Sequence, residues 1–117
     1  MALTISRRME GNVEIMGLAG RLILGEETSG LRQQMVAAFE RKSDLLVDLA
    51  GLSYIDSAGL GELVGALASA GSRGHSTKIL RPQRRLTDLL QITKLYTTFE
   101  IFEDEAAALK SFTRAES

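Results

Sequence analysis

The stretch that decides the fold is residues 44–67, DLLVDLAGLSYIDSAGLGELVGAL. Its first part, residues 45–49, is a nearly continuous apolar run, which is typical of a central strand covered on both faces. Its last part carries apolar residues at positions 60, 63, 64 and 67, the spacing of an amphipathic helix that we expect to end near Gly71. A strand that leads directly into a helix predicts an α/β fold, and leaves the polar segment YIDSAGLG, residues 54–61, at the junction.

The N-terminal third predicts a hairpin followed by a helix. Residues 3–9 and 13–18 are short β-prone runs separated by Glu10-Gly11-Asn12, which reads as a turn between antiparallel strands. From about Thr28 to Arg41, apolar residues again fall at helical spacing, with Thr28 or Ser29 as the N-cap.

The C-terminal half repeats the strand-to-helix alternation. Residues 76–80 and 99–102 read as strands, Pro82 suits the first turn of a helix, and Asp104 can cap a final helix. The predicted apolar faces of these two helices are Leu86, Leu89 and Leu90, and Ala108, Leu109 and Phe112. The order ββαβαβαβα implies right-handed crossovers and one domain, residues 1–117, with a five-stranded, mostly parallel mixed sheet flanked by about four helices. The first strand should be antiparallel, at the sheet edge.

Composition excludes several classes of function. The absence of cysteine excludes disulfides and thiolate metal sites, and the single His75 argues against a zinc or non-haem iron centre. Carboxylate-bound magnesium stays open, and no cofactor is expected. The net charge of −1 and the lack of a long basic block argue against direct nucleic-acid binding, and the cationic run at 73–85 is interpreted as a solvated face. No apolar stretch approaches a membrane span and no signal-peptide core is visible, so we expect a cytoplasmic protein without membrane contact.

The junction does not match known catalytic patterns. A hydrolase nucleophile elbow would need glycine at the position of Ile55. His75 would lie roughly 25 Å from Ser57, at 1.5 Å per helical residue, and so could not act as its base. GLGELVG departs from the dinucleotide fingerprint because its third glycine comes one residue late. Asp48 and Asp56 could form a carboxylate pair, but no third group is found with which the pair could catalyse a reaction. Asp48 is better interpreted as a structural hydrogen-bond acceptor. We therefore expect no enzymatic activity.

The helix after the junction has a face with almost no side chains. Asp56 and Ser57 are both good N-cap residues. On a helical wheel, one shoulder beside the leucines consists of Ser57, Gly61, Gly65, Ala68 and Ser72. Each interior glycine costs about 0.5–1 kcal/mol relative to alanine, which is useful where another surface must approach the backbone closely. That surface could belong to a neighbouring helix of the same chain or to a partner protein.

Ser57 is also a suitable phosphate acceptor. A helix N-terminus tolerates an anion, so phosphorylation should leave the fold intact. An interface built over the shoulder would have to bury a dianion next to Asp56 and should be lost.

The sequence resembles a known family over nearly its whole length. LLVDLAGLSYIDSAGLGELVGAL is similar to the core of the anti-sigma factor antagonists, also called anti-anti-sigma factors, which are STAS-domain proteins. The similarity extends to GLAGRLILGEETSGLRQQM before this core and to RRLTDLLQITKLYTTFEIFEDEAAALKSF after it. Asp-Ser-x-Gly-Leu-Gly following a strand is the specific motif.

The resemblance implies a phosphorylation-switched interaction module in transcription regulation. Such proteins bind an anti-sigma factor that is also a serine kinase of the histidine-kinase-like ATPase class, and binding frees the sigma factor. The kinase phosphorylates the serine that matches Ser57, and a PP2C-type phosphatase reverses this. The expected partner-binding residues are Asp56, Ala58, Gly59, Gly61 and Gly65.

One position departs from the family pattern. Many relatives carry an acidic residue where this chain has Ile23, and neither Glu26 nor Glu27 can be aligned with it. The departure concerns the partner contacts and leaves the acceptor Ser57 intact. The alternative function is a constitutive STAS docking subunit of a lipid transporter or of a larger signalling assembly.

Overall fold

The computed structural model describes residues 3–23, 31, 33–35, 37, 40, 44–71, 76–92 and 100–114. The predicted order of strands and helices is confirmed in these ranges. The caps proposed at Thr28 and Ser29, the strand residue Phe99 and the basic residue Arg73 lie outside the described residues. The elements are β1 (Leu3–Glu10), β2 (Val13–Leu22), α1 (helical residues at 31, 33–35, 37 and 40), β3 (Asp44–Ile55), α2 (Ser57–Gly71), β4 (Thr77–Leu80), α3 (Arg84–Ile92), β5 (Ile101–Phe102) and α4 (Glu105–Arg114).

The five strands form one mixed sheet in the order β1-β2-β3-β4-β5. The edge strand β1 pairs antiparallel with β2, and every later pair is parallel. The β1–β2 turn uses Gly11 with φ +62°, a left-handed conformation that glycine adopts without strain. The predicted hairpin and the mostly parallel sheet are both confirmed.

One of the two central strands is longer than predicted. β2 continues past Leu18 to Leu22, whereas β3, Asp44–Ile55, fills the segment between the first helix and the junction motif. The pairing of β2 with β3 accommodates two extra residues of β3, at register shifts opposite Gly17/Ala19 and Gly20/Arg21. Parallel pairing therefore persists to Leu22 opposite Ile55, and both strands end together.

Polar side chains hold the irregular part of β3. Asp48 Oδ1 accepts the N–H of Ala50 at 3.0 Å, and Gln83 Nε2 donates to the Ala50 carbonyl oxygen at 2.7 Å. Asp48 Oδ2 also accepts from Arg81 at 2.8 Å, and this hydrogen bond raises the pKa of the Arg81 guanidinium above its ordinary value. The prediction that Asp48 is a structural acceptor is confirmed.

Two apolar clusters cover the two sides of the sheet. The larger one joins β1–β4 to α1, α2 and α3 through sixteen buried side chains, among them Met16, Leu22, Leu31, Leu63 and Leu86. The smaller one packs α4 on the opposite side, through Ala108 and Phe112 against residues of β2, β3 and β4. Among the described residues, α4 is the one helix in this second cluster. It is therefore held against the sheet by its own few buried side chains.

Lys78 contributes to that seating. It is 8% exposed, its Nζ donates to Ser111 Oγ at 2.8 Å, and the Phe112 ring centroid lies 4.6 Å from the same nitrogen. Glu100 Oε1 lies 3.1 Å from Nζ and neutralises the charge. A buried ammonium group is tolerated here because it is paired and hydrogen-bonded.

We expect Phe112→Ala to lower the free energy of unfolding by about 3 kcal/mol, because it leaves a cavity under α4 and removes the ring beside Lys78. Urea denaturation measures the change. Ala106→Ser, at an exposed position of the same helix, should change it by less than about 0.5 kcal/mol. Equal effects of the two substitutions would show that α4 is not held as described.

Candidate functional site

Asp56 is the cap that joins β3 to α2. Its Oδ1 accepts the N–H of Gly59 at 2.6 Å, and its carbonyl oxygen accepts the N–H of Leu60 at 2.8 Å. Its own N–H donates to the carbonyl oxygen of Leu22 at 3.3 Å, which ties the junction to the end of β2. Of the two residues predicted as possible caps, the structure assigns this role to Asp56.

Gly59 lies where the first turn of α2 crosses the end of β2. The residue is buried, and a Cβ atom at this position would collide with the carbonyl oxygen of Leu22 and lie 2.8 Å from its carbonyl carbon. It would also come within 3.1 Å of Asp56 Oδ1. Glycine is therefore required here by the fold itself, independently of any partner.

Ser57 is the first residue of α2, and it is exposed. Because Asp56 caps the helix, the Ser57 hydroxyl is not needed for that purpose, and it makes no hydrogen bond to any residue that the structure describes. A helix begins with backbone N–H groups that lack intrahelical partners, and their dipoles favour an anion. The Ser57 oxygen is therefore accessible and lies in a favourable position for added negative charge.

Two small residues of α2, Ser57 and Gly61, face away from the core. The helix buries Leu60, Leu63 and Ala66, whereas Ser57 and Gly61 are exposed. Around Gly61 no heavy atom of the described residues, apart from the backbone of the helix itself, lies within 4 Å of a constructed Cβ. Packing against a neighbouring helix, one of the two explanations left open by the sequence, is therefore not found at Gly61.

We call the surface formed by Ser57, Ala58, Gly61 and Gly65 the outer face of α2. Ala58 and Gly65 are partly buried, and Ser57 and Gly61 are exposed. The side chain of Ala68 and all of Ser72, which the sequence places on the same face, lie outside the described residues.

Two side chains at the nearby end of the sheet were not singled out by the sequence. Arg21 and Tyr54 are both exposed, and the Arg21 guanidinium carbon lies 5.9 Å from the centre of the Tyr54 ring. They are cross-strand neighbours near the ends of β2 and β3. Their position depends on the register shifts in β3, and so no local pattern indicates it. Ile23, the position at which the sequence departs from the expected family pattern, follows Leu22 and is partly buried.

The two carboxylates considered as a possible catalytic pair are engaged in the fold. Asp48 and Asp56 are separately occupied, by Arg81 and by the cap of α2, and His75 lies outside the described residues. Within the described ranges, no cluster of three or more histidine, aspartate or glutamate side chains could hold a metal ion. No helix there is long and apolar enough to cross a membrane. A cavity of about 500 Å³ lined by Arg7, Arg8, Met9 and Glu14 lies at the opposite end of the sheet from Ser57.

Comparisons with known proteins identify the fold and the family of the chain. The family model described as "Mlab, STAS domain" matches residues 5–101. The anti-sigma-B factor antagonist of Bacillus subtilis (strain 168) is 37% identical over 71 residues, which is 61% of this chain and 65% of that protein. The chain thus matches just under two thirds of the length of this relative.

Solved structures match nearly the whole chain. TM1081 from Thermotoga maritima superposes with a TM-score of 0.82 at 21% identity, covering 93% of this chain and 94% of the other. The Bacillus cell fate determinant SpoIIAA in its phosphorylated form superposes with a TM-score of 0.71 at 18% identity, covering 92% and 98%. At these identities the likeness shows the fold. Together with the family match, it shows that the chain belongs to the STAS-domain family.

We expect opposite effects on stability from the same substitution at two glycines of one helix. Gly59→Ala should lower the free energy of unfolding by about 1–3 kcal/mol, because the new Cβ meets the Leu22 carbonyl group. Gly61→Ala should raise it by about 0.5–1 kcal/mol, because alanine favours helix and the space is open. Urea denaturation of both variants checks this, and a destabilised Gly61→Ala would contradict an open outer face.

Asp56→Ala should lower the free energy of unfolding by about 1 kcal/mol, because the Gly59 N–H loses its acceptor. Asp56→Asn keeps an N-cap side chain and should recover most of the loss. Thermal denaturation of the two variants distinguishes them, and equal losses would show that the charge of Asp56, and not its capping bond, stabilises the junction.

Proposed function

We propose that this STAS-domain protein is an anti-sigma factor antagonist, a cytoplasmic, non-enzymatic interaction module of one domain, residues 1–117. In its unphosphorylated state it binds an anti-sigma factor that is also a serine kinase of the histidine-kinase-like ATPase class, and thereby frees a sigma factor. The observation that carries the proposal is that the Ser57 hydroxyl is exposed at the start of α2 and is not needed to cap the helix. The outer face beside it is open at Gly61. The name of the Bacillus subtilis relative supports it.

The outer face of α2 is the proposed partner surface. Ser57, Ala58, Gly61 and Gly65 would meet the partner directly, and their lack of bulk lets another backbone come close. Asp56 and Gly59 would act beneath this surface, since one caps the helix and the other is buried against Leu22. Asp56 and Gly59 would thus contribute to partner binding indirectly, by fixing the shape of the first turn of α2.

Phosphorylation of Ser57 is the proposed switch. The kinase transfers the γ-phosphoryl group of ATP to Ser57 Oγ, ADP leaves, and the hydroxyl proton passes to a base or to solvent. The product carries about −1.5 to −2 charges beside the Asp56 carboxylate. Closing a partner over this site would bury a dianion, and a loss of about 3 kcal/mol of binding free energy weakens association by more than a hundredfold. A PP2C-type phosphatase would restore binding.

We expect the kinase and ATP to modify Ser57 stoichiometrically, and Ser57→Ala to abolish incorporation. Mass spectrometry of proteolytic fragments identifies the site, and treatment with the PP2C-type phosphatase should remove the group. Modification at any other residue, or none with a kinase that binds the protein, would contradict the switch. Co-purification of the unmodified protein with membrane transporter subunits would favour the constitutive docking function instead.

We expect Gly61→Ala to weaken binding to the anti-sigma factor at least tenfold, about 1.4 kcal/mol, although the same change stabilises the free protein. The added methyl group would hold the two surfaces apart. Isothermal titration calorimetry measures the dissociation constant. Gly61→Leu should weaken binding further. Ala106→Leu, which enlarges an exposed position on α4, is the control and should leave binding unchanged, whereas unaltered binding by Gly61→Leu would exclude the outer face as the interface.

A further inference from the structure

Arg21 is an exposed cation at the end of the sheet that carries Ser57. The side-chain interaction found for it among the described residues is with the Tyr54 ring, whose centre lies 5.9 Å from the guanidinium carbon. Two arginines elsewhere in the domain are ion-paired: Arg8 Nη2 lies 2.7 Å from Glu105 Oε1, and Arg81 Nη2 lies 2.8 Å from Asp48 Oδ2. Within the described ranges Arg21 has no ion pair, so its guanidinium group is available to an anion that phosphorylation adds nearby.

The backbone places Arg21 close to Ser57. Leu22 pairs with Ile55 in the sheet, and the Leu22 carbonyl oxygen accepts the Asp56 N–H at 3.3 Å. Arg21 directly precedes one partner of this hydrogen bond, and Ser57 directly follows the other. Along β2 the Arg21 side chain alternates with that of Leu22, which lies in the apolar cluster on the α2 side, so the Arg21 side chain starts from the opposite face of the sheet. To meet a phosphoryl group on Ser57, its long, flexible stem would turn around the end of β2.

A phosphoryl group on Ser57 would be stabilised by a positive charge near the first turn of α2. Its dianion would stand beside Asp56, whose carboxylate is fixed in place by the bond to Gly59. Backbone N–H groups at the helix start offset part of this repulsion. A guanidinium group binds phosphate through paired N–H donors, and a surface cation–π contact is a weak competitor for it.

We propose that the Arg21 guanidinium is the counter-ion of a phosphoryl group on Ser57, and that it leaves the Tyr54 ring to form this pair. The inference rests on the proposed function, since it concerns the phosphorylated state of the same site. It makes phosphorylation a local rearrangement of the interface: an anion appears on the outer face of α2, an arginine turns towards it, and the Tyr54 ring is uncovered.

The test uses full-length protein with phosphoserine placed at position 57 during translation, so that no kinase is required. The second pKa of the phosphate is measured by ³¹P NMR in wild type and in Arg21→Gln. We expect this pKa to be about half a unit lower with Arg21 present, because the cation favours the dianion. Arg7→Gln, which removes a comparably exposed arginine at the far end of the sheet, should leave it unchanged. Equal values in wild type and Arg21→Gln overturn the proposal.

A second readout follows the aromatic ring. On phosphorylation the ring resonances of Tyr54 should shift in wild type but not in Arg21→Gln, and a ring that does not respond in wild type also overturns the proposal. Neither measurement involves the anti-sigma factor. Failure of the kinase to modify Ser57 would therefore count against the proposed function, and an unperturbed phosphate pKa would count against Arg21 alone.

Discussion

The close contact between the first turn of α2 and the carbonyl group of Leu22 is the constraint on which the site depends. The contact requires a residue without a side chain, Gly59, and it is secured by Asp56, which binds Leu22 with its N–H and Gly59 with its carboxylate. Both ties use backbone groups that must be satisfied when they are withdrawn from water. Their joint effect is to hold Ser57 at the surface, at the start of the helix, with its hydroxyl not committed to the fold.

This arrangement separates two roles that the motif could have combined in one residue. Asp56 supplies the cap, so modification of Ser57 removes no hydrogen bond on which the fold depends. Ser57, in turn, lies on a helix whose inner face is fully used by Leu60 and Leu63 and whose outer face is empty at Gly61. In the proposed function a change of charge on Ser57 can then control binding while the stability of the domain stays nearly constant, because the groups that bind a partner are not those that hold the core.

The sequence predicts the order of elements because hydrophobic patterns reflect burial: β3 is a continuous apolar run covered on both faces, and α2 buries one side through Leu60 and Leu63. It underestimates β2, which is predicted to end at Leu18, because the register shifts that let its pairing with β3 continue to Leu22 have no local signature in the sequence. It identifies Asp56, Ser57 and the glycines from their order along the chain. The sequence does not distinguish Gly59, which the fold requires, from Gly61, which faces open space. It also does not predict that Arg21 lies near Ser57 along the backbone, since this proximity arises from pairing between strands.

The central claim is that Ser57 controls binding through its charge while the fold stays unchanged. Isothermal titration of the anti-sigma factor against the unmodified protein and against protein with phosphoserine at position 57 tests it most directly, with urea denaturation of both forms as a check on folding. The account predicts affinities that differ by more than a hundredfold and free energies of unfolding that agree within about 1 kcal/mol. Equal affinities, or a loss of binding that accompanies unfolding of the domain, would contradict it.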